Sequence, residues 1–366
     1  MKINFYILIH IIFSLFLLNF FTFAQTDSTK KKKDEEDEEP VNFQDFQGEV
    51  EMAKGTKRYC TSKIFDLSPN KLISVGYDWQ LPYQMQFDTE NTNTQTSNVQ
   101  ATHGLRLAAN FPIISKNQIL INLGVNYLES HYNFERPTSQ PLQKSLEQTA
   151  LRSTGISLTI FKPLNEKNFI LYSSQHDLNG DYKLDEWQPL RYVKHSIAAL
   201  YGWKKHDRLQ YGFGIARTYR VGEVNYIPVI LYNYTATSRK WGIEALFPAR
   251  AHYRKTFNPR SILLLGYELE GNSYRLKNKD GIFNTPNNTY TDLELRRSEL
   301  RFRAIYETSL SGFIWLSVQA GYRINYRYNI DNGEFFRGFF GDQKYVAENS
   351  LTNPLYFLVS INLVSL

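Results

Sequence analysis

The sequence predicts an all-β fold, an antiparallel transmembrane β-barrel, and three features of the chain support this prediction. Long segments alternate between apolar and polar residues, which is the pattern of strands with one apolar and one polar face. An apolar leader at the start of the chain is typical of a secreted protein. Short and long polar connections alternate between the segments, as they do in barrels of the outer membrane.

The clearest alternating segment runs from Leu316 to Tyr328, where every second residue is apolar. A strand of this length can cross a bilayer when it is tilted. The same alternation predicts about fourteen strands in all, with about twelve as the alternative if residues 241–257 form one kinked strand and another weak strand is false. The other predicted strands lie near residues 71–81, 104–111, 119–127, 153–160, 169–174, 193–203, 209–220, 224–234, 241–247, 249–257, 262–274, 293–307 and 355–366.

Three regions follow one another along the chain. Residues 1–24 are predicted to be a signal peptide, because Lys2 precedes an almost wholly apolar run that ends at Ala24; an uncleaved helical anchor is the alternative. Residues 25–70 are predicted to be a disordered periplasmic arm, since blocks of like charge cannot bury a core. Within it, residues 41–70 are either a linker or a small plug in the barrel mouth. Residues 71–366 are predicted to form the outer-membrane barrel.

Composition excludes several other classes of protein. Cys60 is the single cysteine, so no internal disulfide can form. The mean hydropathy of −0.43 argues against a helical membrane protein. The isoelectric point near 9.0 could suggest a nucleic-acid partner, but the charges do not cluster on a nucleic-acid-binding motif and no such partner is predicted. The expected partners are outer-membrane lipid and the barrel-assembly machinery.

Motifs for catalysis are weak, so the sequence predicts no enzyme, no cofactor, no catalytic residue and no metal site. An outer-membrane phospholipase needs a His and a Ser two residues apart on one strand face, whereas Ile197 follows His195 at that spacing. The loop from Asp177 to Asp185 begins like a calcium-binding loop, but Tyr182 stands where such loops have glycine. A solvated loop is therefore the prediction there, with calcium binding as the alternative.

The connections and the aromatic residues predict an orientation. Both chain ends should be periplasmic, because short turns face the periplasm and long loops face outward. The chain contains 25 Tyr and 25 Phe, and tyrosines near the external strand ends are typical of an interfacial girdle. The predicted girdle residues are Tyr274, Tyr322, Tyr326 and Tyr328. The predicted external connections are residues 82–99, 133–147, 175–190, 277–290 and 329–354.

Charged residues fall on the polar faces of the later strands, which predicts that they point into the lumen. Acidic and basic residues on adjacent strands lie within reach of one another. Their arrangement indicates either a salt-bridged, water-filled interior, whose solvated pairs are each worth about 0–1 kcal/mol, or an arginine-lined conduit for anionic solutes. The predicted lumen-facing cluster is Glu244, Arg250, His252, Arg254, Glu268, Glu270, Arg297, Glu299, Arg301, Arg303, Arg323 and Arg327.

One part of the chain resembles a known family. The segments that carry the resemblance are YIPV from Tyr226, WGIEALFPAR from Trp241 and LGYELEG from Leu265. They are similar to an uncharacterised family of Gram-negative outer-membrane barrels, mainly over residues 226–276. The resemblance implies a barrel in the outer membrane, but it brings no activity and no functional residues with it.

The leading functional hypothesis is porin-like passage of small polar solutes, including anionic ones. The first alternative is a transporter of hydrophobic substrates of the fatty-acid-transporter type, since about fourteen strands behind an N-terminal segment are typical of that architecture. The charged lumen argues against this alternative. The second alternative is a closed structural or surface-binding barrel that works through its external loops.

Overall fold

The structure is a closed antiparallel β-barrel. This computed structural model describes residues 58–365 apart from 90–91, 137–139, 184–185, 187–191, 221, 223, 279–280, 282, 285–288 and 333–344. The predicted signal peptide and the predicted arm up to residue 57 lie outside the described residues, and so does Asp185 of the calcium-loop alternative. No helix in the described part of the chain is long and apolar enough to cross a membrane.

The barrel wall consists of antiparallel strands, and from β2 to β14 each strand pairs with the next one in the chain. One short helix, α1 (Pro141–Gln148), lies in a connection that the sequence predicted as loop. The strands are β1 (Asn70–Gln80), β2 (Tyr83–Thr89), β3 (Thr92–Lys116), β4 (Ile119–Phe134), β5 (Leu151–Pro163), β6 (Asn168–Gly180), β7 (Val193–His206), β8 (Leu209–Thr218), β9 (Asn225–Thr235), β10 (Trp241–Phe247), β11 (Arg250–Asn258), β12 (Ser261–Lys277), β13 (Asp292–Ser311), β14 (Ile314–Asp331), β15 (Glu348–Leu351) and β16 (Leu355–Ser365).

The last strand closes the barrel against the first, as predicted. β1 pairs antiparallel with β16 in the register Tyr77↔Val359, and β2 pairs antiparallel with β15. A short break at Pro82 separates β1 from β2, and residues 352–354 separate β15 from β16. β1 and β2 together therefore act as one wall strand, and β15 and β16 together act as another. The prediction of fourteen strands is confirmed. Closure leaves no open edge, which a barrel in lipid requires.

The wall alternates between an apolar outer face and a mixed inner face. On β16, Phe357 and Ile361 are exposed, while Tyr356 and Asn362 are buried in the interior. This confirms the predicted phase of the final strand. Large apolar side chains are exposed around the barrel, Trp79 and Phe302 among them, and such a belt is what a membrane-spanning barrel presents to lipid.

The barrel becomes narrower toward the end that carries the long connections, which is called the outer half from here on. β12 pairs with β11 only up to Glu268 but continues to Lys277. Its extension meets the end of β6, where Arg275 pairs with Gly180 in parallel and the Asp181 N–H donates to the Arg275 carbonyl at 3.1 Å. β7 to β11 end below this contact, so the outer half closes without them.

An apolar cluster fills the outer half. Leu142 and Leu146, four residues apart on α1, point into it together with Met85, because residues at that spacing share one helix face. Tyr274 and Tyr328 also belong to the cluster and are only 2% exposed. Their predicted place in an interfacial girdle is therefore wrong. The predicted girdle positions Tyr322 and Tyr326 are exposed on the outer face.

A β-bulge explains the error at Tyr328. Ser298 of β13 pairs with Arg327, but the next residue, Glu299, pairs with Asn325, so Tyr326 has no partner in this ladder. One extra residue reverses the alternation beyond it. Tyr328 consequently turns inward, and Arg327 lies opposite Ser298 on the other face of the sheet. The prediction that Arg327 faces the lumen is wrong for the same reason.

Candidate lumen binding site

Buried ion pairs cross the middle of the lumen. Arg301 contacts Glu270 at 2.7 Å and Glu299 at 2.5 Å. Arg323 contacts Glu299 at 3.3 Å and Asp78 at 3.4 Å. These residues come from β1, β12, β13 and β14, and they lie on the inward faces of these strands. The register of β12, β13 and β14 places Glu270 beside Glu299 and Arg301 beside Arg323. Together with Arg106 and Arg297 they are called the charge layer.

The remaining two arginines complete the layer. Arg106 of β3 contacts Asp78 at 2.8 Å and Glu270 at 2.9 Å, and Arg297 contacts Glu299 at 3.0 Å. Three carboxylates therefore face four guanidinium groups. Arg301 and Arg323 are 1% exposed, so these pairs are packed together and not solvated. The expectation of a wet interior is wrong at this level.

The other predicted lumen residues form separate groups. Arg303 pairs with Glu268, and its Nε donates to His252 at 3.1 Å. Arg250 stands opposite Glu268 in the register of β11 and β12. Glu244 and Arg254 pair with each other far from the layer, near the short turns. They are described below.

Two residues of the charge layer were absent from the predicted cluster. Asp78 and Arg106 lie on the polar faces of β1 and β3. Their alternation was visible in the sequence, since both stand between apolar neighbours. What the sequence did not reveal is that β1 and β3 approach β12 to β14 closely enough across the lumen for ion pairs.

A polar cavity of about 420 Å³ adjoins the charge layer. Its lining includes Arg106 and Glu270 of the layer and several serines from the surrounding wall. Asp177, the first residue of the calcium-loop alternative, also lines it and accepts hydrogen bonds from Gln175 at 3.0 Å and from Asn126 at 3.4 Å. Asp177 therefore has partners in the wall of the barrel.

A second cavity of about 160 Å³ lies against the inner face of β6 to β10. It shares four lining residues with the polar cavity, so the two spaces adjoin. The shared residues are Gln175, Ser196, Thr218 and Arg220. Much of its remaining lining is an apolar patch, which is defined here as Leu171, Ala198, Leu200, Ala216, Val229 and Leu246.

The connection between β8 and β9 positions Arg220 at the junction of the two cavities. The Gly222 N–H donates to the Tyr219 carbonyl at 2.8 Å, and Ser273 donates to the Gly222 carbonyl at 2.6 Å. Gly222 has a φ of +82°, which favours glycine. A Cβ at this position would lie 2.7 Å from the Ser298 hydroxyl, so the connection sits tightly against β13.

Residues 58–69, called the strap, run along the end of the barrel that carries the short turns. The Cys60 N–H donates to the Asn165 carbonyl, and the Phe65 N–H donates to the Asp207 carbonyl, each at 2.9 Å. Lys204 donates to Thr61 at 2.7 Å. The strap thus contacts two successive turns, between β5 and β6 and between β7 and β8.

The strap is held by the ion pair near the third turn. Glu244 accepts hydrogen bonds from the Ser68 N–H and the Ser68 hydroxyl, both at 2.9 Å. Arg254, which is fully buried, contacts Glu244 at 2.5 Å and donates to Thr235 at 2.7 Å. Thr235 in turn donates to the Phe65 carbonyl at 2.7 Å. Glu244 and Arg254 therefore connect the wall to the strap.

Cys60 brings the strap against the apolar patch. Its side chain is 6% exposed and clusters with Phe161, Phe169, Leu200 and Leu231. Two further patch residues, Leu171 and Leu246, pack against the same cluster. The strap thereby covers the apolar patch on the side of the short turns.

Comparison with solved structures finds outer-membrane barrels of Pseudomonas. An outer membrane channel from Pseudomonas putida F1 is 10% identical, with 82% of this chain and 97% of that chain covered and a TM-score of 0.36. The toluene transporter TodX of P. putida is 9% identical over 84% and 95%, with a TM-score of 0.33. A FadL homologue of Pseudomonas aeruginosa is 8% identical over 80% and 90%, also with a TM-score of 0.33.

Comparison with curated protein sequences finds no match. Comparison with protein families finds one, which covers residues 75–363 and so nearly the whole barrel. The chain belongs to the family described as Domain of unknown function (DUF6268).

Proposed function

We propose that this protein is an outer-membrane channel for small, predominantly apolar molecules. The apolar patch is the observation that carries the proposal. Its six side chains come from five neighbouring strands and face the barrel interior, where water-filled pores have polar linings. Apolar surface of this kind favours an apolar ligand by about 25 cal/mol for each Å² removed from water.

The charge layer makes the porin-like hypothesis the weaker one. An anion conduit needs cationic groups that are accessible to a passing solute. The arginines of the layer instead contact Asp78, Glu270 or Glu299 within 4 Å, and Arg301 and Arg323 are almost fully buried. The apolar cluster in the outer half adds a second obstacle to water along the barrel axis.

The proposed route to the periplasm passes the strap. Cys60 and the patch residue Leu200 belong to one apolar cluster, so a ligand on the patch meets the strap next. The strap is joined to the wall mainly by hydrogen bonds to turns and to Glu244, and such contacts can open without disruption of the barrel.

Filling the patch should stop passage. In the Ala198→Trp variant the indole should occupy the cavity against Leu200, because Ala198 faces inward in the patch. We expect the entry of N-phenylnaphthylamine into intact cells, measured by its fluorescence, to fall to the level of cells without the protein. Purified wild-type protein in planar bilayers should show no sustained ionic conductance.

A matched control comes from the next residue. Ala199 faces lipid, so Ala199→Trp should insert and support entry of the dye as the wild type does. Steady conductance of the wild type, together with dye entry that Ala198→Trp leaves unchanged, would instead favour the porin-like hypothesis. Absence of both activities in the wild type would favour the closed structural barrel.

A further inference from the structure

We infer that Arg220 is the binding group for an anionic head, and that the ligand is an amphipathic carboxylate whose apolar tail lies on the apolar patch. This inference rests on the proposed function and names its substrate class. The position of Arg220 supports it first. Arg220 lines both cavities, so one end of a ligand can meet its guanidinium while the other end meets Leu200 and Val229.

The partners of Arg220 distinguish it from the other cations of the polar cavity. Lys71 contacts Glu307 at 2.6 Å, Arg106 contacts Glu270 at 2.9 Å, and Arg303 pairs with Glu268. Arg220 instead donates from Nη1 to the Leu269 carbonyl at 3.0 Å. Glu268 and Asp177 interact electrostatically with Arg220 from a greater distance, so the guanidinium has no carboxylate at ion-pair distance.

The ion pairs around the cavity leave Arg220 available to an anion. The other basic residues of the described lining, Lys71, Arg106 and Arg303, each have a carboxylate partner. Glu268 is held by Arg303, and Asp177 accepts hydrogen bonds from Gln175 and Asn126. Neither acid lies within 4 Å of Arg220 as an ion-pair partner.

The geometry of a guanidinium suits a carboxylate. Arginine presents five N–H donors in a planar fork, and two of them can bind the two oxygens of one carboxylate. The contact with Leu269 uses one donor and fixes the side chain against β12. The backbone is fixed too, because the Arg220 N–H donates to Thr218 at 3.3 Å and Gly222 packs against Ser298. The head-group site is thus preformed.

Binding of octanoate and octanol to the full-length protein in amphipol tests the inference. The two ligands share one apolar tail and differ in the charge of the head. Wild-type protein should bind octanoate more tightly than octanol. Arg220→Gln should lower the affinity for octanoate about tenfold or more, as expected for a lost charge-assisted pair, and should leave the affinity for octanol nearly unchanged. Arg220→Lys, which keeps the charge, should retain part of the preference.

Arg260→Gln is the matched control, because Arg260 is exposed in the turn between β11 and β12 and lines neither cavity, and it should bind both ligands as the wild type does. If the wild type binds octanol but Arg220→Gln binds octanoate as tightly as the wild type does, the head-group site is overturned and the proposed apolar channel is retained. Equal loss of both ligands in Arg220→Gln would also overturn it, because a head-group contact cannot act on the neutral alcohol. Failure of the wild type to bind either ligand would refute the proposed function itself.

Discussion

A disulfide between Cys60 and a cysteine introduced by Asn165→Cys should stop dye entry completely, and reduction should restore it. The Cys60 N–H donates to the Asn165 carbonyl at 2.9 Å, and backbones joined by such a hydrogen bond are within the range that disulfides bridge. The bond would fix the strap to the turn between β5 and β6, so that it could not leave the apolar patch. Intact cells that take up N-phenylnaphthylamine would be compared after oxidation and after dithiothreitol.

The design has little chemical ambiguity, because Cys60 is the only native cysteine. The double variant Cys60→Ser with Asn165→Cys cannot form the bond and should take up dye at the wild-type rate under both conditions. Undiminished uptake by the oxidised Asn165→Cys variant, with the disulfide shown by mobility on a gel, would mean that the route avoids the strap.

Removal of Arg301 should destabilise the barrel by about 3–5 kcal/mol, the usual cost of a buried ion pair that loses one partner. Arg301 is 1% exposed and contacts both Glu270 and Glu299. Alanine would leave these carboxylates buried with one less cation. The sequence alone predicted about 0–1 kcal/mol for such pairs on the assumption of a wet lumen, and the burial replaces that expectation. Urea-dependent folding into lipid vesicles measures the free energy of unfolding.

Arg239→Gln provides the comparison for Arg301→Ala. Arg239 also forms an ion pair, with Asp66, but the two side chains are 57% and 35% exposed. Its loss should therefore cost about 0–1 kcal/mol. Similar losses in the two variants would show that the charge layer is solvated after all.

The wall of the barrel could be predicted because its signal is local. Each strand carries its own alternation, and lipid outside the barrel makes the apolar face unambiguous. β16 is the clearest case, since both its phase and its partner β1 follow from the sequence. The extra segments β2 and β15 were missed because both are short and lie in long polar connections. β2 does alternate, but its apolar residues Tyr83, Met85 and Phe87 are buried and not exposed to lipid.

Features that depend on distant strands could not be predicted. The bulge beside Tyr326 reverses the phase of one strand end, and only its pairing with β13 reveals it. The apolar interior of the outer half likewise depends on the contact between β6 and β12, which are far apart in the sequence. Alternation alone therefore assigned Tyr328 to lipid.

The candidate site was predicted in part. The inward phase of Arg301 and Arg323 followed from alternation, but their burial depends on how closely the walls approach one another. The sequence predicted Arg220 at the end of a strand over residues 209–220, but the structure places it in the connection that follows β8, where period-two patterns carry no information. The hydrogen bonds that Glu244 accepts from Ser68 also could not be predicted, because they depend on the path of the strap along the barrel.

The contact between β6 and β12 also sets an order of events during assembly. Neighbouring strands can pair as soon as both are present, since only a short loop must close. Asp181 instead receives the Lys277 N–H, a residue 96 positions later, and joining such distant segments is entropically costly and slow. The outer half can therefore close only after every strand up to β12 has been added, so its seam is expected to form late and to be absent from shorter assembly intermediates.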